Sequence, residues 1–268
     1  AEMVAASPAG VAISAAVVLQ ETGKPGSPKE RGDGMRGRKA ADFFTDQEVN
    51  AIKAAVSRAE SGTAGEIVPM VVDRSDSYRE ADILGSALTA ALLALSIEAV
   101  FQLYLLGASG PEWTQGGAET VLALHGISVW TYIPLVFILF FPVRQVFRSF
   151  DRLRLLFAGR RRIAEAVRER AVRAFFEKEL YRTKDETGVL IFISLLEHKV
   201  WILGDRGINA KIPQNSWQAL AGELSRGLRE GRACEALCSV IDSCGAELAR
   251  HFPHTTDDID ELKNDLIR

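Results

Sequence analysis

Four side chains in this 268-residue sequence have the types and positions for ligand chemistry. Asp73 follows the apolar run EIVPMVV, and Asp76 comes three residues later. Asp205 follows VWILG, with Arg206 beside it. Carboxylates supply the oxygen ligands that Ca2+ and Mg2+ require. An arginine fork suits a phosphate. Open α/β sheets also bind ligands beyond the carboxyl ends of their strands. If the two runs end at the same edge of one sheet, Asp73, Asp76 and Asp205 converge with Arg206 on one metal or phosphate site. The competing reading is local: an Asp at a strand end forms the turn itself. No cofactor is required by the sequence, and Ca2+ or Mg2+ are the candidate ions.

The common catalytic signatures are missing. There is no G-x-S-x-G, no Walker loop and no H-E-x-x-H, which argues against the usual hydrolase and NTPase mechanisms. Cys234, Cys238 and Cys244 lie in one short stretch with no histidine close by, so they read as buried small apolar residues and not as zinc ligands. His251 and His254 straddle Pro253, which breaks helical spacing and points to a helix end followed by a turn.

A second group of polar residues lies within or beside long apolar runs. Residues 83–106 hold no basic side chain, and residues 121–143 hold no charge apart from His125. Each is long enough to cross a hydrocarbon core, so together they predict a transmembrane helical hairpin. Glu98 and Gln102, four apart on one helix face, and His125 are then intramembrane polar groups. They serve either function or helix-to-helix hydrogen bonding. From Arg144 to Arg173 there are ten arginines against three acids, while the loop between the runs has no Lys or Arg. The positive-inside rule places the arginine side, and with it both termini, in the cytoplasm. The expected location is the plasma (inner) membrane. Arg144, Arg148, Arg152, Arg154, Arg160, Arg161 and Arg162 are expected at anionic lipid headgroups. With a net charge of −3, and with these arginines beside a predicted membrane span, nucleic acid is not an expected partner.

The elements that must position these residues fall on both sides of the hairpin. Residues 1–40 read as a disordered or adventitious leader. Residues 41–82 give one helix, with Thr45 and Glu48 spaced as a capping box, and one strand, 66–72. Residues 144–268 give a basic juxtamembrane segment, a helix, the strands 189–195 and 200–204 joined through LEHK, a helix capped at Asn215 or Ser216, and a last long helix. One helix and one strand cannot bury both faces of a sheet. The two pieces are therefore expected to form one α/β domain, a small central sheet flanked by helices and interrupted by the hairpin.

The stretch FFTDQEVNAIKAAVSRAESGTAGEIVPMVV is similar to the start of TPM domains, a family named for thylakoid-lumen, photosystem-associated and acetylcholine-receptor-associated founders. The later ERAVRAFFEKELYRTKDETGVLIFISLLEHKVWILGDRGINAKIPQNSWQAL and the ending ELARHFPHTTDDIDELKNDLI resemble its second part. The resemblance spans residues 41–80 and 165–267. It implies an α/β sandwich around a central sheet, of the membrane branch in which a transmembrane pair interrupts the domain. The family is linked to phosphatase activity and to calcium binding. Many members carry an aromatic and a Gly-Leu-Glu where this sequence has Asp205-Arg206-Gly207-Ile208-Asn209, so the acid after the glycine is missing here. The sequence reading is thus a membrane-anchored interaction or accessory module, whose partner is another membrane protein or a second copy of the chain. The alternative is a metal-dependent phosphatase at the strand-end aspartates.

Overall fold

The computed structural model describes residues 39–108, 115–183, 185–254 and 266–268, with side chains excluded over 105–129. Of the expected leader, only Lys39, Ala40 and three two-residue strands (Ala5–Ala6, Ala12–Ile13 and Ala15–Ala16) fall among the described residues. In chain order the other elements are α1 (Asp46–Glu60), β1 (Glu66–Val72), α2 (Arg79–Ala108), α3 (Gln115–Ser149), α4 (Asp151–Ala158), α5 (Arg160–Glu177), β2 (Gly188–Ser194), β3 (Lys199–Gly204), α6 (Arg206–Lys211), α7 (Gln214–Arg229) and α8 (Ala233–His251). The chain forms two compact units, Ala1–Asp76 with Arg161–Arg268, and Ser77–Arg160.

The first unit is built on a mixed sheet with β2 between β1 and β3. β1 runs parallel to β2, from Glu66 opposite Gly188 to Val72 opposite Ser194. β3 returns antiparallel, from Ser194 opposite Lys199 to Val189 opposite Gly204. Ala15–Ala16 adds an antiparallel rung outside β3. Side chains alternate across a strand, and both faces are apolar. Ile67, Val71, Val189, Ile191, Ile193, Val200 and Ile202 meet the helices α1, α7 and α8. Val68, Met70, Leu190, Phe192, Trp201 and Leu203 meet Val167, Ala171, Ala174 and Phe175 of α5. Helices therefore cover both faces, which explains the nearly unbroken apolar runs of the strands.

Pro69 is placed where its missing N–H costs least. The Pro69 carbonyl accepts from Ile267 N–H at 3.1 Å, and Val71 N–H donates to the Ile267 carbonyl at 2.8 Å. Both residues therefore face away from β2. Pro69 sits on the outer edge of the sheet, as a strand proline must, and the C-terminal residues cover that edge.

Side-chain caps start two of the helices, α1 and α6. Thr45 N–H donates to Glu48 Oε2 at 2.8 Å, and Glu48 N–H donates to Thr45 Oγ1 at 3.3 Å, a reciprocal cap for α1. α7 differs from expectation. Pro213 holds the N-cap position, and Asn215 and Ser216 lie inside the helix. The stretch after β3, read from sequence as a bend, contains the short helix α6, with Asp205 as its N-cap.

The second unit consists of α2, α3 and α4. α2 and α3 lie side by side in opposite directions. Asp82 lies near Arg144 and Arg148, and Tyr132 Oη donates to the Ala91 carbonyl at 3.3 Å. Arg79–Tyr104 and Trp130–Ser149 are long and apolar enough to cross a membrane. Only 22% and 6% of their most apolar windows is buried, so they are not core helices.

Candidate functional site

The mixed topology separates the acids that the sequence grouped. Asp73 follows β1 at the end where Val72 aligns with Ser194. Asp205 follows β3 at the other end, where Gly204 aligns with Val189. A six-residue strand separates the two ends by about 20 Å. The convergence of Asp73, Asp76, Asp205 and Arg206 is therefore corrected: β3 is the return strand of a hairpin whose first strand is parallel to β1. Among the described residues, no three His, Cys, Asp or Glu side chains gather as a metal-holding group.

Each of the four has its own local setting. Asp73 is exposed, and its Oδ1 accepts from the Ala40 N–H. Asp76 Oδ2 accepts from Arg162 at 2.7 Å. Arg206 is exposed and lies 3.7 Å from Glu186. Asp205 differs from the others. It is only 1% exposed, its N–H donates to the Gly188 carbonyl at 2.9 Å, and its Oδ1 accepts from Arg206 N–H at 2.7 Å. Its Oδ2 is buried without a hydrogen-bond partner. Burial raises the Asp205 carboxyl above its ordinary value; the Arg206 N–H opposes this, and the charge of Glu186 adds to it. The neighbouring chain is tightly packed. A Cβ on Gly207 would stand 2.5 Å from the Asp185 carbonyl oxygen and 2.8 Å from that of Glu186.

The end of the sheet that carries Asp73 holds a polar cluster that the sequence did not single out. Ser194, fully buried, donates to Glu197 Oε2. Ser75 Oγ lies 2.9 Å from Ser194 Oγ, and Ser75 N–H donates to Glu197 Oε1 at 2.9 Å. Leu195 and Leu196 N–H donate to the carbonyls of Val72 and Asp73. The cluster ties the β2–β3 turn to the segment leaving β1. The one sequence signal for it was a serine at a strand end followed three residues later by a glutamate in the turn.

In the helical unit, Gln102 Nε2 donates to Glu98 Oε1 at 3.2 Å, and Thr131 Oγ1 lies 3.4 Å from Glu98 Oε2. The His125 side chain lies outside the described residues. The arginines divide by role. Arg144 and Arg148 stand 3.7 and 3.9 Å from the nearly buried Asp82. Arg154 donates to the Phe147 and Arg148 carbonyls at 3.1 and 2.7 Å, capping the end of α3. Arg162 belongs to the α/β unit through Asp76. Arg152, Arg160 and Arg161 are exposed. Cys234 and Cys238 pack partly buried against the core and Cys244 is fully buried. Burial pushes the thiols of Cys234 and Cys244 up to about 12, which makes them poor nucleophiles.

Residues 159–247, from the start of α5 into α8, match the family model of the TPM domain. The chain carries a TPM domain. The BA42 protein of the psychrophilic bacterium Bizionia argentinensis, solved by NMR, aligns over 85% of this chain and 97% of its own, with 20% identity and a TM-score of 0.48. No curated protein matches the chain. The TPM domain match covers the sheet hairpin, α6 and α7, so it includes Asp205 and the Ser194–Glu197 pair and excludes Asp73 and Asp76.

Proposed function

We propose that the protein is an integral membrane protein whose TPM domain serves a membrane complex as a non-catalytic interaction or accessory module. The observation that carries this reading is the surface of α2 and α3. Leu84, Leu92, Leu95, Val100, Leu103, Phe137, Ile138 and Phe141 point outward from the helical pair, a continuous apolar exterior that water would penalise and acyl chains would solvate. The arginine-rich flank supports a cytoplasmic side for both termini and the plasma (inner) membrane as the location. On the α/β unit, Asp73 and Asp76 are engaged locally and stand a sheet-length from Asp205, which suits a surface for a partner better than a shared reaction centre. The partner is another membrane protein or a second copy of this chain.

The test is fractionation and capture. The full chain is expected to stay with membranes through alkaline carbonate washing, and to bring the same protein down from several detergents. Release by carbonate would defeat the membrane reading. A monodisperse monomer without a companion in every detergent would defeat the accessory reading.

One observation favours a second reading. Asp205 Oδ2 has no hydrogen-bond partner and is free to serve as one oxygen ligand of a cation. A metal-dependent phosphatase would then centre on Asp205 and Arg206, without Asp73 or Asp76. Its mark would be turnover with Mg2+ or Ca2+ that disappears in Asp205→Asn.

A further inference from the structure

α4 follows the second long helix after a single residue, Phe150, and turns back alongside the start of α2. Its depth is set by a close contact. A Cβ on Gly85 would stand 2.6 Å from Phe147 Cε1 and 2.9 Å from Phe157 Cγ, so Gly85 is the notch that admits both rings. The two rings also meet each other, with centroids 5.5 Å apart. Gly85 lies inside the apolar run 83–106, and Phe157 lies in α4. α4 is therefore level with the first turn of the apolar run and not beyond it.

No residue of α4 is buried within the unit. Its outward residues are Arg152 and Leu156, four apart on one face. Leu156 is 76% exposed, and the adjoining Phe150 is 61% exposed. Arg154, on the other side, is spent on capping α3. Large apolar side chains beside arginines at the depth of a span entrance are the makings of a helix lying in the plane of the interface.

Building on the membrane reading, we propose that α4 is an in-plane interfacial helix. Leu156 and Phe150 enter the acyl boundary of the cytoplasmic leaflet, and Arg152 with Arg148 holds the phosphates of anionic phospholipids. The occupant of this face is the lipid of the same bilayer that holds α2 and α3, because the exposed apolar surface of Ile83 and Leu84 on α2 is at the same level as α4. Arg148 is more than half exposed while lying 3.9 Å from Asp82, which leaves its outer N–H groups available to a phosphate.

The experiment uses the full chain in lipid nanodiscs. Spin labels are placed singly at Leu156→Cys, Leu92→Cys and Ser225→Cys, in a background with Cys234→Ser and Cys238→Ser. Collision with oxygen is compared with collision with a water-soluble nickel chelate. Leu156 is expected to favour oxygen, as Leu92 does, while Ser225 on the α/β unit favours the chelate. A chelate-dominated Leu156 beside an oxygen-dominated Leu92 overturns the interfacial helix and leaves the hairpin standing. A chelate-dominated Leu92 overturns the membrane reading, and the proposal falls with it. In a second arm, Arg152→Gln is expected to lower the excess of anionic over zwitterionic phospholipid co-purifying with the chain by about fivefold. An unchanged excess overturns the phosphate contact.

Discussion

Replacing Asp205 by Asn tests the least comfortable group in the α/β unit. The carboxylate is almost fully buried, has one hydrogen bond from Arg206 N–H, and leaves Oδ2 unpaired. Leaving such an atom unpaired in the interior costs about 1–3 kcal/mol, more when it is charged. Burial holds the folded-state carboxyl above its ordinary value of 3.8. The folded state thus binds the proton more tightly than the unfolded state. The stability linked to this group is fully present below about pH 3.8 and is lost as pH rises through the higher folded value. Asn keeps a cap acceptor and carries no charge. Asp205→Asn should match the wild type at acid pH and exceed it at neutral pH by about 1–3 kcal/mol in the presence of chelator. Asp205→Ala loses the cap as well, about 1 kcal/mol, so it should be the weaker protein at acid pH and close the gap as pH rises. Denaturant unfolding in detergent, followed through the buried Trp201 and Trp217, measures all three. A pH-independent difference, or an Asn variant weaker at neutral pH, would refute the reasoning. Repeating the series with Ca2+ or Mg2+ separates the two functional readings, because only a carboxylate that binds the ion lets the ion stabilise the wild type and not the Asn variant.

Two further substitutions probe the packing around the candidate sites. Ser194→Ala removes a donor to Glu197 and the neighbour of Ser75, and is expected to cost about 1–3 kcal/mol in the same unfolding assay without releasing the protein from membranes. Gly207→Ala drives a methyl into two backbone oxygens 2.5 and 2.8 Å away and should cost about 1–3 kcal/mol. Gly62→Ala is the control, with its nearest neighbour at 4.0 Å, and should stay within about 0.5 kcal/mol.

What could be read from the sequence was local. The Thr45–Glu48 cap, the short apolar strands and the two long apolar runs each declare themselves locally, and each lies within a residue or a few of where the sequence placed it. The direction of β1 relative to β2 is not local. It depends on how 115 residues between Val72 and Gly188 return the chain, and nothing in EIVPMVV or GVLIFIS encodes it. That one unknown decided whether Asp73 and Asp205 would meet. The same limit hid Asp76–Arg162, which are 86 positions apart, and Asp82–Arg144. The sequence had assigned Asp76 to a metal or phosphate site and Arg162 to the lipid headgroups.

Those pairs explain how a small domain carries a long insertion. The α/β unit ends its first piece at Asp76 and resumes at Arg161, and Arg162 grips Asp76 at 2.7 Å. The exit and the re-entry are therefore side by side, the condition under which a domain accepts an inserted segment without strain on its core. The serine–glutamate cluster acts on the same stretch, because it fastens Ser75, one residue before the exit, to the β2–β3 turn. Polar groups at this end of the sheet, which looked like ligands for a metal, hold the two ends of the insertion. The opposite end, where Asp205 is buried with its Oδ2 unpaired, holds neither end of the insertion.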